Sequence, residues 1–258
     1  MSHPERAHAR PRRLRRIIAT AAIGASFAAL AACGSSSAAV PDISGGSELD
    51  AALPPQISAM PLVDQDGRTV HLADFRGKTV LVQDGMTLCQ EQCPIDTATF
   101  VALAREYAKS ANAKNVVFLT ITVDPQRDDP AQMKAYRDLY APGAGSLPQW
   151  HLLTGSPADI AALWKYFHVY IEKVPQDAVV RNWRTGARLT YDVQHSDEVF
   201  FLDGTLKQRY LLEGMPSLGG AIPAKIKGFM AAGGMANMKM SNWTVANGIT
   251  VLDWMSGL

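Results

Sequence analysis

A short, almost wholly apolar run, Thr79-Val80-Leu81-Val82, leads through Gly85-Met86-Thr87-Leu88-Cys89-Gln90-Glu91-Gln92-Cys93-Pro94 into a segment where Ile95, Ala98, Val101 and Ala108 fall near helical spacing. A strand without polar alternation has to be covered on both faces, and Pro94 suits the first turn of the helix that follows. The same passage sets two cysteines four residues apart at a strand-to-helix junction. On a helical turn that spacing puts both sulfurs on one face. A helix N-terminus also favours thiolate over thiol, because its unpaired amides and dipole stabilise negative charge.

The chain around this passage keeps alternating. Residues 62 to 72 hold Asp66-Gly67 within an apolar-polar alternation (Val63, Val70, Leu72), a hairpin signal. Residues 116 to 123 read as a second strand of β-branched and aromatic side chains. Asp129-Pro130 and Ser156-Pro157 each look like an N-cap with proline at N1, and Asp159 completes an approximate capping box. They predict helices over 130–140 and 157–167, with a strand at 150–153 between them. Val199-Phe200-Phe201-Leu202, the turn Asp203-Gly204 and residues 206 to 212 predict a terminal hairpin, and residues 222 to 232 a last helix. This order implies an α/β fold of thioredoxin-like arrangement: a central mixed sheet flanked by helices, with an N-terminal hairpin.

Charge separates the two ends. With 25 Lys+Arg against 24 Asp+Glu the net is +1, but six arginines and Glu5 precede Cys33; that local +5 leaves −4 on the remainder. A nucleic-acid binder would keep its basic excess on the folded part, so none is expected as a partner. No phosphate-cradling glycine loop, Ser/His/Asp arrangement or nucleotide fingerprint occurs, which argues against hydrolases and dehydrogenases.

Arg12, Arg13, Arg15 and Arg16 precede an uncharged stretch from Ile17 to Ala32. That is a signal-peptide profile, too short for a comfortable membrane span of about 20 residues. Leu30-Ala31-Ala32-Cys33 resembles the bacterial lipobox, in which the cysteine becomes the lipidated first residue. An ordinary signal peptide cut after Ala32, or a one-pass anchor, is the alternative. The expected organisation is a lipoprotein signal peptide over 1–32, lipidation at Cys33, a flexible tether over 33–56, a globular domain over 57–232 and a Met-rich C-terminal tail over 233–258. The expected location is the extracytoplasmic, periplasmic side of a membrane, held by the lipid.

With Cys33 lipidated, only Cys89 and Cys93 remain, and a scaffold of many disulfides is excluded. One close pair in an oxidising compartment can be a structural disulfide, a redox couple or a metal clip. Two nearby thiolates suit a soft ion such as Cu(I), and a neutral imidazole would complete a three-coordinate site. The same sulfurs can close a disulfide.

Gly85 to Pro94 resembles the thiol motif of the Sco (SenC) copper-chaperone family. So do Thr122-Val123-Asp124-Pro125-Gln126-Arg127-Asp128 and Gln194-His195-Ser196 followed by Phe201-Leu202-Asp203-Gly204, in the family's order, over roughly two thirds of the chain (62–226). The resemblance implies a thioredoxin-like fold, Cu(I) or Cu(II) held by Cys89, Cys93 and His195, and a role in assembling a copper centre of cytochrome c oxidase. A subunit of that oxidase, or another copper-acceptor protein, is then the implied partner. Asp124, Pro125 and Arg127 are expected to shape the loop beside the site, and His71, His151 and His168 to be structural or exposed.

The chain departs from the family pattern at several positions. It has Leu88-Cys89-Gln90-Glu91 where the family often has histidine or phenylalanine and then Cys-Pro-Asp. It has Gln194 where an acid commonly precedes the metal histidine, and the loss of that acid is expected to weaken or retune the site, since such a neighbour orients the imidazole. Residues 175 to 192 are longer than usual and carry Arg181, Trp183, Arg184 and Arg188. In the tail, Met235, Met238 and Met240 offer soft thioethers for an auxiliary copper role, or act as apolar filler. Trp243, Val245, Ile249, Val251, Leu252 and Trp254 can pack the tail onto the domain or a membrane. The competing functions are a metallochaperone, which turns nothing over, and an enzyme, a thiol-disulfide oxidoreductase that reduces an acceptor's cysteines. A peroxide-reducing or redox-sensing protein is a third.

Overall fold

The computed structural model describes residues 39–143, 145–176, 178–231 and 241–257. Cys33 and the methionines 235, 238 and 240, with the signal-peptide and lipidation readings, lie outside them. In chain order the elements are β1 (Gly46–Ala52), α1 (Pro55–Ser58), β2 (Leu62–Asp64), β3 (Thr69–Val70), β4 (Thr79–Gly85), α2 (Cys93–Tyr107), β5 (Val116–Thr122), α3 (Pro130–Tyr140), β6 (Trp150–Thr154), α4 (Pro157–Phe167), β7 (Ile171–Pro175), β8 (Tyr191–His195), β9 (Glu198–Leu202), β10 (Lys207–Glu213), α5 (Ala224–Lys227) and α6 (Val245–Met255).

Eight strands form one mixed sheet in the order β1-β10-β9-β4-β5-β6-β2-β3. β4, β5 and β6 run parallel at its centre, and the flanking pairs are antiparallel. Every residue of β5 and all but the first of β4 are buried, as strands covered on both faces must be. Side-chain alternation divides them: Leu81 and Phe118 face a core with Phe100, Leu103, Tyr136 and Trp150, whereas Val80, Val82, Leu119 and Ile121 face one with Leu163, Trp164 and Phe167. The caps work as expected, Asp129 accepting from the Gln132 amide at 2.6 Å and Ser156 from the Asp159 amide at 3.1 Å.

The structure differs from the sequence reading in four places. Residues 46–56, inside the expected tether, are part of the fold: β1 pairs antiparallel with β10 although its sequence, GSELDAA, carries no apolar alternation, because the open edge of β10 recruits its backbone. The described part of the expected tail, 241–257, is no appendage but part of the core. α6 lies on α2 with Trp243, Val251, Leu252, Trp254 and Met255 buried, and Gly248 permits the approach, since a Cβ there would stand 2.6 Å from Leu103 Cδ2. α6 is also why α2 is buried nearly all round instead of presenting one face to solvent. The last helix, expected over 222–232, is only the single turn α5, begun after Pro223 and ended at Gly228. Finally, β7 and β8 make a separate two-stranded sheet that sequence pattern did not reveal. Among the described residues no helix is long and apolar enough to cross a membrane.

Candidate metal centre

Cys89 ends the loop that leaves β4, and Cys93 opens α2. The Cys93 amide donates to Cys89 Sγ at 3.4 Å, the helix-terminal contact expected to favour a thiolate. Cys89 is partly exposed and Cys93 is buried. A hydrogen bond from the Cys93 thiol lowers the Cys89 pKa against the opposing effect of burial, and the charge of His195 helps. Burial pushes the Cys93 thiol well up, and the neighbouring Cys89 adds to the rise. One accessible, thiolate-prone sulfur is thus backed by one held as thiol.

His195, at the end of β8, presents Nε2 to Cys93 Sγ at 3.3 Å. Its Nδ1 lies 2.6 Å from Asp84 Oδ2 and 2.7 Å from the Ser196 carbonyl. Both neighbours only accept, so Nδ1 carries the hydrogen and Nε2 is the nitrogen turned to the sulfurs. Asp84 is fixed in turn by the Glu198 amide, which donates to Oδ1 at 2.8 Å. Burial works against the imidazolium, but the bond to Asp84 and its charge outweigh that, and Asp197 and Cys89 add to them; the His195 pKa rises to about 10. A metal ion reaching Nε2 therefore displaces a proton.

Asp84 was not among the sequence candidates. A charged residue inside an otherwise apolar strand is the signal that could have found it, since a buried carboxylate needs a partner. It also bears on the expectation for Gln194, which is exposed and alternates with His195 along β8. The imidazole keeps an orienting carboxylate, supplied from β4 instead of from the preceding residue.

Other acids stand beside the site. Gln92 Nε2 donates to Asp197 at 2.6 Å. Asp96 is buried, and burial together with the charge of Asp197 raises its pKa well above its ordinary value. Among the described residues the trio whose ligand atoms lie within 4.8 Å of one another is Asp84, His195 and Asp197. Within it, His195 Nδ1 is spent on Asp84; the free nitrogen and the two sulfurs open instead into a cavity of about 280 Å³.

The loop 123–128 shapes the site from below, as expected. Asp128 accepts from the Thr87 amide at 3.2 Å, from Thr87 Oγ1 at 2.5 Å and from Thr122 Oγ1 at 2.6 Å, and so anchors the cysteine loop. Arg127 pairs with Asp124, donates to the Tyr191 carbonyl at 2.6 Å and lies 3.9 Å over the Tyr191 ring. It thereby ties β8, and with it His195, to this loop. The long segment 175–192 closes back on the cysteine loop, with Trp183 Nε1 donating to the Thr87 carbonyl at 2.8 Å and Arg184 bonded to Gln132. After α5 the chain passes the same loop, the Ala231 amide donating to the Gln90 carbonyl at 2.7 Å. His71 pairs with Asp74, His151 packs on Phe75 and His168 caps α4, none of them part of the site.

Residues 54–224 match the SCO1/SenC family model. The chain is 33% identical over 152 residues to the mitochondrial SCO2 homolog of Bos taurus, covering 58% of this chain and 51% of that protein. It is 30% identical over 145 residues to SenC of Rhodobacter capsulatus, covering 56% and 58%. It therefore spans about half the length of the curated relatives it matches. Among solved structures, Bradyrhizobium japonicum ScoI with copper bound superposes with a TM-score of 0.51 at 24% identity, covering 77% of this chain and 97% of that one. BsSco, described as having a disulfide switch and belonging to the Sco family of cytochrome c oxidase assembly proteins, gives 0.50 at 21% identity, covering 82% and 95%. These likenesses show the thioredoxin-like Sco fold. With a family model covering most of its length, and with Cys89, Cys93 and His195 gathered at one cavity, this chain belongs to the SCO1/SenC family.

Proposed function

We propose that this protein is an exported, membrane-anchored metallochaperone that takes copper as cargo and delivers it for assembly of a copper centre of cytochrome c oxidase. The observation that carries the reading is the approach of His195 Nε2 to Cys93 Sγ at 3.3 Å, with partly exposed Cys89 at the same cavity. Two sulfurs and an imidazole nitrogen fit a soft ion with few ligands. Cys89, Cys93 and His195 would hold the ion, Asp84 would fix the imidazole, and transfer would follow by exchange of ligands with an acceptor's cysteines. Copper in the Bradyrhizobium relative supports the assignment by family. The lipid at Cys33 would keep the domain near its acceptor, an oxidase subunit or another copper-acceptor protein.

A second reading rests on the inequality of the two sulfurs. A partly exposed, thiolate-prone Cys89 backed by a buried Cys93 is the arrangement of an attacking and a resolving thiol, which suits a thiol-disulfide oxidoreductase acting on the acceptor. Copper stoichiometry and affinity of the reduced protein, compared with Cys89→Ser, Cys93→Ser and His195→Ala, test the first reading. One copper per chain, lost with either cysteine and weakened without His195, supports it. No uptake in competition with a modest chelator defeats it.

A further inference from the structure

The β7–β8 pair stands over more than the metal centre. Tyr191, Val193 and His195 alternate onto one face of β8, in register with Pro175, Lys173 and Ile171 of β7. Beneath them lies a groove of about 530 Å³ with an apolar floor of Val123, Ile160, Trp164 and Val169. Val193 lines both this groove and the cavity at the cysteines, so the two adjoin at β8. From Tyr191 to His195 is about 13 Å of extended chain at ~3.3 Å per residue, so a segment laid along β8 in the groove points toward the cysteine cavity.

The unpartnered charges lining the groove have one sign. Lys165 and Lys173 both border the groove, and among the described residues neither has a carboxylate partner; Lys173 Nζ sits 3.5 Å over the Tyr191 ring. The acid lining the groove, Asp124, is buried and engaged by Arg127 and Tyr191. Glu172 alternates to the other face of β7, where it accepts from the Tyr170 hydroxyl. Tyr170 itself is 53% exposed at the groove mouth, an aromatic of the kind that anchors interfaces. On a folded body that is acidic overall, an apolar trough rimmed by unpaired lysines selects its complement.

We propose that this groove docks an extended segment of a partner protein that is apolar on alternate residues and carries carboxylates to meet Lys165 and Lys173. The inference deepens the metallochaperone reading in that the docked segment would bring the acceptor's thiols to Cys89, but the binding itself needs neither metal nor thiol. The test uses the full chain with Cys89→Ser/Cys93→Ser, so that copper and disulfide chemistry cannot contribute. The probe is a fluorescein-labelled seven-residue peptide alternating glutamate with valine and leucine, compared by anisotropy with a twin in which lysine replaces glutamate. The acidic peptide is expected to bind saturably with a Kd below about 1 mM, and its twin at least tenfold more weakly. Lys165→Glu/Lys173→Glu, which leaves the apolar floor untouched, and Ala161→Trp, which fills the trough from an exposed position, should each weaken it at least tenfold. Equal binding of the twins, no saturation, or indifference to Ala161→Trp overturns the proposal. So does a concentration-dependent dimer abolished by Tyr170→Glu, which would assign the groove to a second copy. Peptide binding in a protein whose reduced wild type takes up no copper would leave the groove standing and remove the metal reading.

Discussion

Replacing Asp84 by Asn is the sharpest test of the site as drawn. Asp84 is fully buried, and its carboxylate accepts from two donors, His195 Nδ1–H at 2.6 Å and the Glu198 amide at 2.8 Å. An asparagine has nearly the same shape but offers one accepting oxygen and one donating NH₂. With the oxygen toward Glu198, the NH₂ faces Nδ1 and favours the hydrogen on Nε2, the nitrogen turned to Cys93; only the Ser196 carbonyl then argues for the productive tautomer. With the oxygen toward His195, the NH₂ meets the Glu198 N–H and a buried donor goes unsatisfied, at a cost of about 1–3 kcal/mol. Loss of such an orienting group costs about 10–100-fold in metal affinity, or about 1.4–2.7 kcal/mol at 1.36 kcal/mol per decade. The assay is competition for Cu(I) between the reduced protein and a chromogenic chelator, with thermal unfolding as the control for folding and Cys89→Ser as the reference for loss of a ligand. A folded Asp84→Asn protein that binds copper within twofold of wild type would refute the role given to Asp84.

Further outcomes follow from other contacts. His195→Ala should lose most copper affinity yet keep most Cys89–Cys93 disulfide exchange, measured with a small aromatic disulfide; loss of both would mean that the imidazole is needed by the thiols themselves. Asp128 is raised by burial to about 7, above its ordinary 3.8, so the folded state binds its proton more tightly than the unfolded chain. Its contribution to stability is full below about pH 3.8 and is lost as pH rises through about 7; the Tm of wild type relative to Asp128→Asn should therefore be higher at pH 5 than at pH 8, and a difference independent of pH would contradict this. Gly248→Val drives a side chain into Leu103, and overpacking of about 1–3 kcal/mol should lower Tm by several degrees while copper stoichiometry, read on the folded protein, stays unchanged. Gln194→Asp, on the exposed face of β8, should leave copper affinity within twofold, because Asp84 already holds the imidazole.

Legibility followed the range of the interactions. The apolar runs of β4 and β5, the proline-headed caps of α3 and α4 and the hairpin at 62–72 are local signals, and the structure shows these elements within three residues of their expected ends. Cys89, Cys93 and His195 were readable because motif spacing and order place them. What escaped depended on distant partners: β1 has no strand pattern of its own and exists through β10, and α6 looks like a tail until α2 is there to cover. Asp84 looks like a polar interruption in a strand until a histidine 111 positions away arrives at its carboxylate. The sequence by itself determined the alternation of strands and helices, the cysteine spacing and the choice of soft ligands, because these are set by neighbours a few bonds apart. Only the tertiary structure decided which nitrogen of His195 meets the sulfurs, which carboxylate holds it and how the two cysteines differ, because burial and electrostatics depend on groups brought together from across the chain.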